Sequence, residues 1–297
     1  MDPSLLIAAQ KRRALGYLGF KNARFGKIDA HIATCAYSRE ILKKAAAIAE
    51  SRGFKLIHGI VDSMWLQKPN ATEEEYRLLC EQIEMELGLP ISFEGRYKWI
   101  VFLNSHVDPR LPVLNRYYGL FQDGTLKVRG IELRRHDTPE IVRKCQAEML
   151  SVLSHANNSH EFEALIPKVL EVMKRYVSLL RSGNAPLQDL VIEKRLSKTP
   201  DQYRNLVPHA VAARHLVTEG GSIHTGQNVS FVIINGGSKI LDNRALPLEL
   251  IDETTTYDST AYEELILRCA TNLFLPFYGD KLSMDAAIAQ RRFDHRV

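Results

Sequence analysis

One acidic residue of the sequence stands where a carboxylate can do chemistry. Asp62 lies in HGIVDSMW (58–65), between two short apolar runs whose spacing predicts two strands joined by a tight turn. A hairpin tip projects a carboxylate beyond the rigid strands behind it, and hard divalent cations take carboxylate oxygens as ligands. Aspartate is also a common turn-forming residue. The local sequence therefore leaves a metal ligand and a turn-capping aspartate both open, and the turn-capping role is the commoner one.

Other ligand patterns are missing from the sequence. Its four cysteines, Cys35, Cys80, Cys145 and Cys269, form no CxxC pair, and its ten histidines form no HxxxH pair. These spacings do not indicate a zinc site. We expect the cysteines to be buried free thiols.

Composition places the chain in an ordinary class. Its 297 residues are 45% apolar and 25% charged, with a net charge of +4, which is typical of a globular protein with one large or two modest domains. The mild positive charge is compatible with a polyanionic partner without indicating one. No run of about 18 or more apolar residues occurs, so no membrane span is expected. The start, MDPSLLIAAQKRR, does not resemble a secretory signal, and we expect a cytoplasmic protein.

Local signals predict the elements around the Asp62 turn. Apolar residues at helical spacing predict a helix over 29–52, with Asp29 as its N-cap. Thr72 and Glu75 form a T-x-x-E capping box, which predicts a second helix from there to about residue 87. The turn should therefore lie between two helices along the chain.

The rest of the chain changes character at about residue 136. Before this point strands are predicted at 96–103, 114–121 and 125–133, the last two joined by the hairpin signal Asp123-Gly124. After it the predicted elements are helices at 139–156, 160–181, 201–219 and 258–275 and a strand at 229–235. The pattern predicts an α+β fold, an antiparallel sheet with helices followed by a mostly helical domain, with a boundary between 1–136 and 137–297.

Six segments resemble, in family order, segments of family B DNA polymerases. HGIVDSMW (58–65) resembles the family's YGDTDS motif, and VRGIELRRHDTP (128–139) resembles RGLEIVRRDW, which leads from the palm to the thumb. The other four are GYLGFKNARFG (16–26), RYYGLF (116–121), YRNLVPHAVAARHL (203–216) and SKILDNRA (238–245). Each match is weak alone, but together they span nearly the whole chain. The chain resembles the C-terminal part of an archaeal-type polymerase: the end of the fingers and a partial palm over 1–136, and the thumb over 137–297.

The resemblance implies transfer of a nucleotide to a primer 3′-hydroxyl, with two Mg²⁺ ions as cofactors. Asp62 matches the second aspartate of YGDTDS, the metal ligand in the family. Ile60 and Val61 replace the first aspartate and the threonine, so local negative charge is reduced. Glu94, in SFEGRY, resembles a palm glutamate near the metal site. Asp62 and Glu94 are therefore the implied catalytic residues, although Glu94 is alternatively an exposed glutamate before a strand.

Part of the family's active site has no match here. The upstream aspartate motif, usually SLYPS, the fingers lysine and the exonuclease carboxylates are not found. Lys11 and Arg12 do not fit the spacing of the fingers motif, so the nucleotide-binding residues are unknown. A palm without its upstream strand exposes an unpaired sheet edge. We therefore expect a partner polypeptide, an N-terminal polymerase half with the exonuclease and the upstream aspartate, alongside the substrates primer–template DNA and dNTP.

The resemblance also implies residues that contact primer–template DNA. They are Arg116, Tyr117, Arg134, Arg135, Tyr203, Arg204 and Arg244. Leu114 and Asn115 replace the two lysines of the family's KKRY motif, which weakens the expected groove contact. The charged run Glu193, Lys194, Arg195, Lys198 and Arg204 could line a phosphate track.

Each of these assignments has a plain alternative. For the charged side chains it is a solvated surface. For Tyr117 it is a place in the core. His209, which follows Pro208, could likewise be a phosphate contact or a core histidine.

Two functions remain open beside that of an enzyme subunit. The substitutions Ile60, Val61, Leu114 and Asn115 favour a catalytically inactive module that binds primer–template DNA. The unmatched start of the chain is compatible with a truncated polymerase remnant.

Overall fold

The computed structural model describes residues 16–278 except 61, 106–107, 109–110, 206 and 241–242. Lys11 and Arg12 lie outside the described residues. The chain forms two compact units, one ending at Arg96 and the other beginning at Tyr97. Position 136, the predicted boundary between palm and thumb, lies within the second unit, and that functional division stays a prediction.

The first unit is a helix, a hairpin and a second helix. Its elements are α1 (Ile28–Ser51), β1 (Lys55–Ile60), β2 (Ser63–Gln67) and α2 (Glu73–Leu87). The strands pair antiparallel, as predicted. The capping box at Thr72 and Glu75 is present, and Gly88 ends α2 in the left-handed conformation that glycine favours. Asp29 was expected to cap α1, which is wrong: the N-cap is Lys27, and Asp29 lies in the first turn of the helix.

The core of the first unit is small. It consists of Ala45, Ala49, Phe54, Ala71, Leu79 and Ile83. These residues join the second half of α1 to α2 and to the start of the hairpin. The packing holds the base of the hairpin and leaves its turn at the far end.

The second unit begins with a three-stranded antiparallel sheet of order β3-β4-β5. Its strands are β3 (Tyr97–Asn104), β4 (Pro112–Phe121) and β5 (Leu126–Arg129). The Asp123-Gly124 hairpin forms as predicted, and the Asp123 carboxylate accepts from the Thr125 amide at 2.8 Å. The strand expected over 125–133 stops at Arg129. Gly130 has a φ of +65°, and a Cβ there would lie 2.4 Å from the Asn115 carbonyl, so the chain turns away from the sheet.

Helices cover the rest of the second unit together with a second small sheet. The helices are α3 (Glu140–Leu153), α4 (Ser159–Arg181), α5 (Leu187–Leu190), α6 (Pro208–Thr218) and α7 (Ser259–Tyr278). The second sheet has the order β6-β7-β8, with strands β6 (Ile192–Arg195), β7 (Asn228–Ile233) and β8 (Ala245–Pro247). The mixture of helices and antiparallel sheets confirms the predicted α+β class.

Two details of this half differ from the sequence prediction. The helix expected over 201–219 begins only at Pro208, because Val207 is extended, as residues before proline prefer to be. Strands β6 and β8 were not predicted. Cys145 and Cys269 are buried and free, as expected, whereas Cys35 and Cys80 are free but half-buried.

A buried polar network ties the turn before α3 to the helices. Glu132, which is 6% exposed, accepts from the Gln146 amide at 2.9 Å and from the Asn272 amide at 2.5 Å. The Gln146 side-chain oxygen accepts from the Leu133 backbone amide at 2.6 Å. Buried polar groups require such partners. The network therefore fixes the segment that carries Arg134 and Arg135. Within the described ranges, no helix has the length and apolar character needed to cross a membrane.

Replacement of Tyr262 by phenylalanine should destabilise the second unit. The buried Tyr262 hydroxyl donates to the Leu190 carbonyl at 2.8 Å and accepts from the Ile233 amide at 2.9 Å. Tyr262→Phe leaves both groups unpaired, at about 1–3 kcal/mol for each buried group. Urea unfolding followed by circular dichroism should show the loss. Tyr257→Phe is the matched control, because the Tyr257 hydroxyl also has two backbone partners but is half-buried, where water can replace it. Equal losses in both variants would contradict the argument.

Candidate functional site

Asp62 lies at the tip of the hairpin, as the sequence predicted. The last strand pair joins Ile60 to Ser63, so Asp62 lies in the turn between β1 and β2. It is exposed, and its backbone amide donates to the Ile60 carbonyl at 2.5 Å. The Ser63 hydroxyl donates weakly to the carboxylate at 3.4 Å. A backbone contact thus closes the turn, and the carboxylate is presented to solvent at the strand ends.

The strands behind the turn supply a firm base for it. His58 and Trp65 are register partners, both are buried, and their rings lie 5.1 Å apart. Gly59, next to the tip, faces Leu42 of α1, which a Cβ on the glycine would meet at 3.5 Å. Packing of this kind holds the backbone that carries Asp62, as a positioned ligand requires.

Glu94 is exposed, but its neighbours lie at the other end of the hairpin. The ring of Phe93 lies 6.1 Å from that of Tyr76 and under the Arg77 guanidinium at 5.0 Å. The Tyr76 hydroxyl donates to the carbonyl of Leu66, near the base of the hairpin. The contacts described so far do not bring Glu94 to Asp62, and a joint role at one ion stays a prediction.

The described residues do not complete a metal site. Among them, no group of three or more histidine, cysteine, aspartate or glutamate residues could hold an ion. Mg²⁺ needs octahedral oxygen ligands and often takes only one or two from protein carboxylates, with water and substrate phosphate supplying the others. Asp62 can be one such ligand, and the described chain does not provide the rest of a two-ion site.

Five basic residues of the second unit, which we call the basic strip, are linked by hydrogen bonds or by short stretches of chain. The strip consists of Arg116, Arg134, Arg135, Lys194 and Arg204. The Arg116 guanidinium donates to the Gly130 carbonyl at 3.1 Å, at the start of the segment that bears Arg134 and Arg135. Arg134, Arg135 and Arg204 are exposed, whereas Arg116 and Lys194 are half-buried.

Asp137 joins the two halves of the strip. Its carboxylate accepts two hydrogen bonds from the Arg135 guanidinium, both at 3.0 Å, and one from the Lys194 ammonium at 2.6 Å. The hydrogen bonds from Arg135, and after them that from Lys194, hold the pKa of the Asp137 carboxyl well below its ordinary value. This acidic residue was not predicted, because its partner Lys194 is 57 positions away in the sequence.

Tyr203 and His209 stand at the end of the strip near Lys194. Their rings meet edge to face at 5.4 Å, and the Tyr203 hydroxyl accepts from the Ser197 amide at 3.0 Å. His209 is half-buried, and burial, followed by the charge of Lys194, lowers the pKa of its imidazole. A neutral, half-buried ring supports a packing role for His209 more than a phosphate contact.

Tyr117 and Arg244, which were also predicted to contact DNA, have hydrogen-bond and ring partners outside the strip. Tyr117 is 5% exposed and its ring lies 5.8 Å from that of Phe102, which supports the alternative of a core aromatic. Arg244 is half-buried, and its guanidinium donates to the Ser238 carbonyl at 2.9 Å just before β8. Their roles in DNA binding stay predictions.

An open cavity of about 550 Å³ lies beside β6. Its lining consists of Arg195, Ser222, Ile223, Gly226, Gln227 and Asn228. Arg195 donates through Nε to the Gly226 carbonyl at 2.9 Å, which orients the guanidinium along the loop. The sequence signal for Arg195 was the charged run, but the loop that meets it lies about thirty positions later.

Asp137→Asn should weaken the acid sensitivity of folding. A depressed carboxyl pKa stabilises the folded state above the ordinary value of about 4, and that stabilisation disappears as pH falls. The wild-type free energy of unfolding should therefore drop between pH 5 and pH 2.5, as measured by urea titration, and the variant should lose this component of the drop. Lys194→Gln removes one of the two cationic partners and should give an intermediate dependence. The same pH profile in all three proteins would contradict the role of the pair.

Known proteins match nearly the whole chain. The family model "DNA polymerase family B" matches residues 15–282. A DNA polymerase of Archaeoglobus fulgidus is 32% identical over 238 residues, which cover 80% of this chain and 28% of the relative. A DNA polymerase of Thermococcus kodakarensis is 26% identical over 272 residues, which cover 89% of this chain and 15% of the relative.

A solved structure supports the same relationship. The family B DNA polymerase from Pyrobaculum calidifontis aligns with a TM-score of 0.59 and 26% identity, covering 87% of this chain and 31% of that one. The chain therefore spans less than a third of the length of these relatives.

Proposed function

The chain belongs to DNA polymerase family B, and from that premise we propose that it is the part of a DNA-directed DNA polymerase that holds primer–template duplex and contributes one metal-ligating carboxylate. The observation that carries the proposal is the position of Asp62, exposed at the tip of a packed hairpin within the segment that resembles YGDTDS.

Each part of the site has a proposed role. Asp62 binds one divalent ion, and such ions, when bound, stabilise the attacking and leaving oxygens of nucleotidyl transfer. Glu94 is proposed to assist from the palm side. Its exposure supports this, although the contacts of Phe93 place its neighbours at the base of the hairpin. The remaining ligands, the dNTP contacts and the exonuclease come from an N-terminal polymerase half.

The basic strip is proposed to grip the duplex backbone without reading sequence. Its cations can neutralise phosphates, and Asp137 fixes the spacing of Arg135 and Lys194. Arg116, Arg134, Arg204 and Arg244 are proposed phosphate contacts. Tyr203 is proposed to act at the end of the strip through its hydroxyl, and Tyr117 is proposed to act indirectly, by packing within the β3-β4-β5 sheet that carries Arg116.

Two assays test the proposal. Fluorescence anisotropy on a primer–template duplex should show an affinity that falls steadily as salt rises, because bound cations release counterions. Primer extension with Mg²⁺ and dNTPs should require both this chain and the remainder of a family B polymerase, such as the Archaeoglobus fulgidus enzyme without its matched segment. Failure to bind the duplex at low salt would reject the proposal.

A second candidate is a binding module without catalysis. Its support is that Ile60 stands in place of the family's first aspartate and that the described residues hold no complete metal site. Duplex binding without extension, in the presence of the remainder, would establish this candidate instead.

A further inference from the structure

Exposed large apolar side chains are concentrated in one stretch of the chain, residues 16–41, which we call the apolar segment. Its exposed members are Tyr17, Phe20, Phe25, Ile28, Ile32, Tyr37 and Ile41. Sixteen large hydrophobic residues are exposed among the described residues, and seven of them lie in this segment. The segment itself contains only about a tenth of the described residues. Scattered exposed hydrophobics are normal, but a concentration of this kind marks an interaction surface.

The first half of α1 is only partly covered. Between Ile28 and Lys44, all of which the structure describes, no residue is buried, and the buried positions of the helix begin at Ala45. At about 100° per residue, Ile28 and Ile32 lie on one face and Tyr37 and Ile41 on the opposite face. A soluble helix usually buries its apolar stripe and exposes its polar face. Residues 28–41 instead expose large apolar side chains on two opposite faces, although polar residues such as Asp29, Arg39 and Glu40 lie between them.

The neighbouring hairpin is also incomplete. Within the described residues β1 and β2 pair only with each other, so each has an open outer edge. A two-stranded sheet is marginal alone, and open edges are templates for another strand. The apolar segment and the hairpin belong to the same compact unit, so one partner chain can satisfy both.

We propose that the apolar segment is the docking surface for the polypeptide that carries the rest of a family B polymerase fold. This rests on the proposed function. The relatives supply the argument for this occupant, since in the Pyrobaculum calidifontis polymerase the counterpart of this chain is only 31% of the whole. More than two thirds of that polymerase lies outside its alignment with this chain, and the apolar segment lies in the unit that presents Asp62. Docking on the apolar segment positions the Asp62 hairpin against the missing half of the site.

Binding of the remainder tests the surface directly. The probe is the Archaeoglobus fulgidus DNA polymerase without its matched segment, and titration calorimetry is run without DNA, metal or nucleotide. The wild-type chain should bind it, and Ile32→Glu should weaken the affinity at least tenfold. Ile240→Glu is the matched control, because Ile240 is 64% exposed, close to the 58% of Ile32, but lies outside the apolar segment. Hydrogen exchange should slow over 16–41 when the complex forms.

Several results would overturn the proposal. They are equal affinity of the wild type and Ile32→Glu, failure of the wild type to bind, and protection of 16–41 in the isolated chain. A dimer of this chain that Ile32→Glu dissociates, seen by light scattering, would assign the surface to a second copy. If Ile32→Glu still supports primer extension, the docking surface is rejected and the proposed function is kept. If the remainder docks through 16–41 but the chain does not bind duplex, the docking surface is kept and the proposed function is rejected.

Discussion

Asp62→Ala should abolish primer extension by this chain and the remainder of a family B polymerase while leaving duplex binding intact. Asp62 is the only acidic residue in the segment 58–65, so no neighbour in the turn can replace it as a ligand. Metal stabilisation of the transition state is worth several kcal/mol, and a loss of about 4 kcal/mol slows the reaction about a thousandfold. Single-turnover extension with Mg²⁺ and dNTPs measures the rate, and anisotropy measures the duplex affinity.

A second hairpin supplies the control for this experiment. Asp123 is also an exposed aspartate in a hairpin turn, and its carboxylate accepts from the Thr125 amide. Asp123→Ala should weaken that turn but leave extension unchanged. If Asp62→Ala extends primers at the wild-type rate, the metal-ligand assignment is wrong and Asp62 is a turn residue. If both variants lose duplex binding, the defect is in folding or DNA contact and not in catalysis.

Sequence predicted the elements whose signals are satisfied within a few residues. The Thr72 side chain and Glu75 complete their capping box within one helical turn, and Asp123 with Gly124 closes a hairpin in the same way. The position of Asp62 at a turn followed from the two apolar runs beside it. Such signals depend little on the rest of the fold.

Features that depend on distant partners were missed. Strand β6 is four residues long and mostly charged, and it is a strand because Glu193 and Lys194 pair with residues of β7 about 35 positions later. From the charged run, the sequence therefore predicted a phosphate track on the surface and did not predict a strand. The ion pair of Asp137 with Lys194 also spans 57 positions. The resemblance to the KKRY motif also did not show which way its last two side chains face. Successive side chains of a strand point to opposite faces, and Arg116 is half-buried whereas Tyr117, the next residue along β4, lies in the core.

The double variant Arg135→Gln/Lys194→Gln should weaken duplex binding strongly. These cations share Asp137, so they hold a fixed spacing along the strip and can meet neighbouring phosphates together. Each phosphate contact contributes about 0.9 to the slope of log affinity against log salt, so the slope should become shallower by about 1.8 and affinity at 0.1 M salt should fall on the order of 50-fold. Anisotropy titrations on one duplex at four salt concentrations measure both quantities.

A pair of cations outside the strip separates this effect from net charge. Lys144 and Arg175 are also paired with carboxylates, those of Asp189 and Glu148, and the variant Lys144→Gln/Arg175→Gln removes the same charge. It should change the slope much less. Asp137→Asn provides the opposite sign: it removes the anion between the two strip cations, while the asparagine oxygen can still accept a hydrogen bond from them and keep their spacing. Duplex binding should therefore tighten and the slope should steepen even as acid stability changes. If Asp137→Asn binds duplex more tightly and the double variant binds it more weakly, the phosphates of the duplex must contact the strip. Equal slopes in all four proteins would place the duplex elsewhere on this unit.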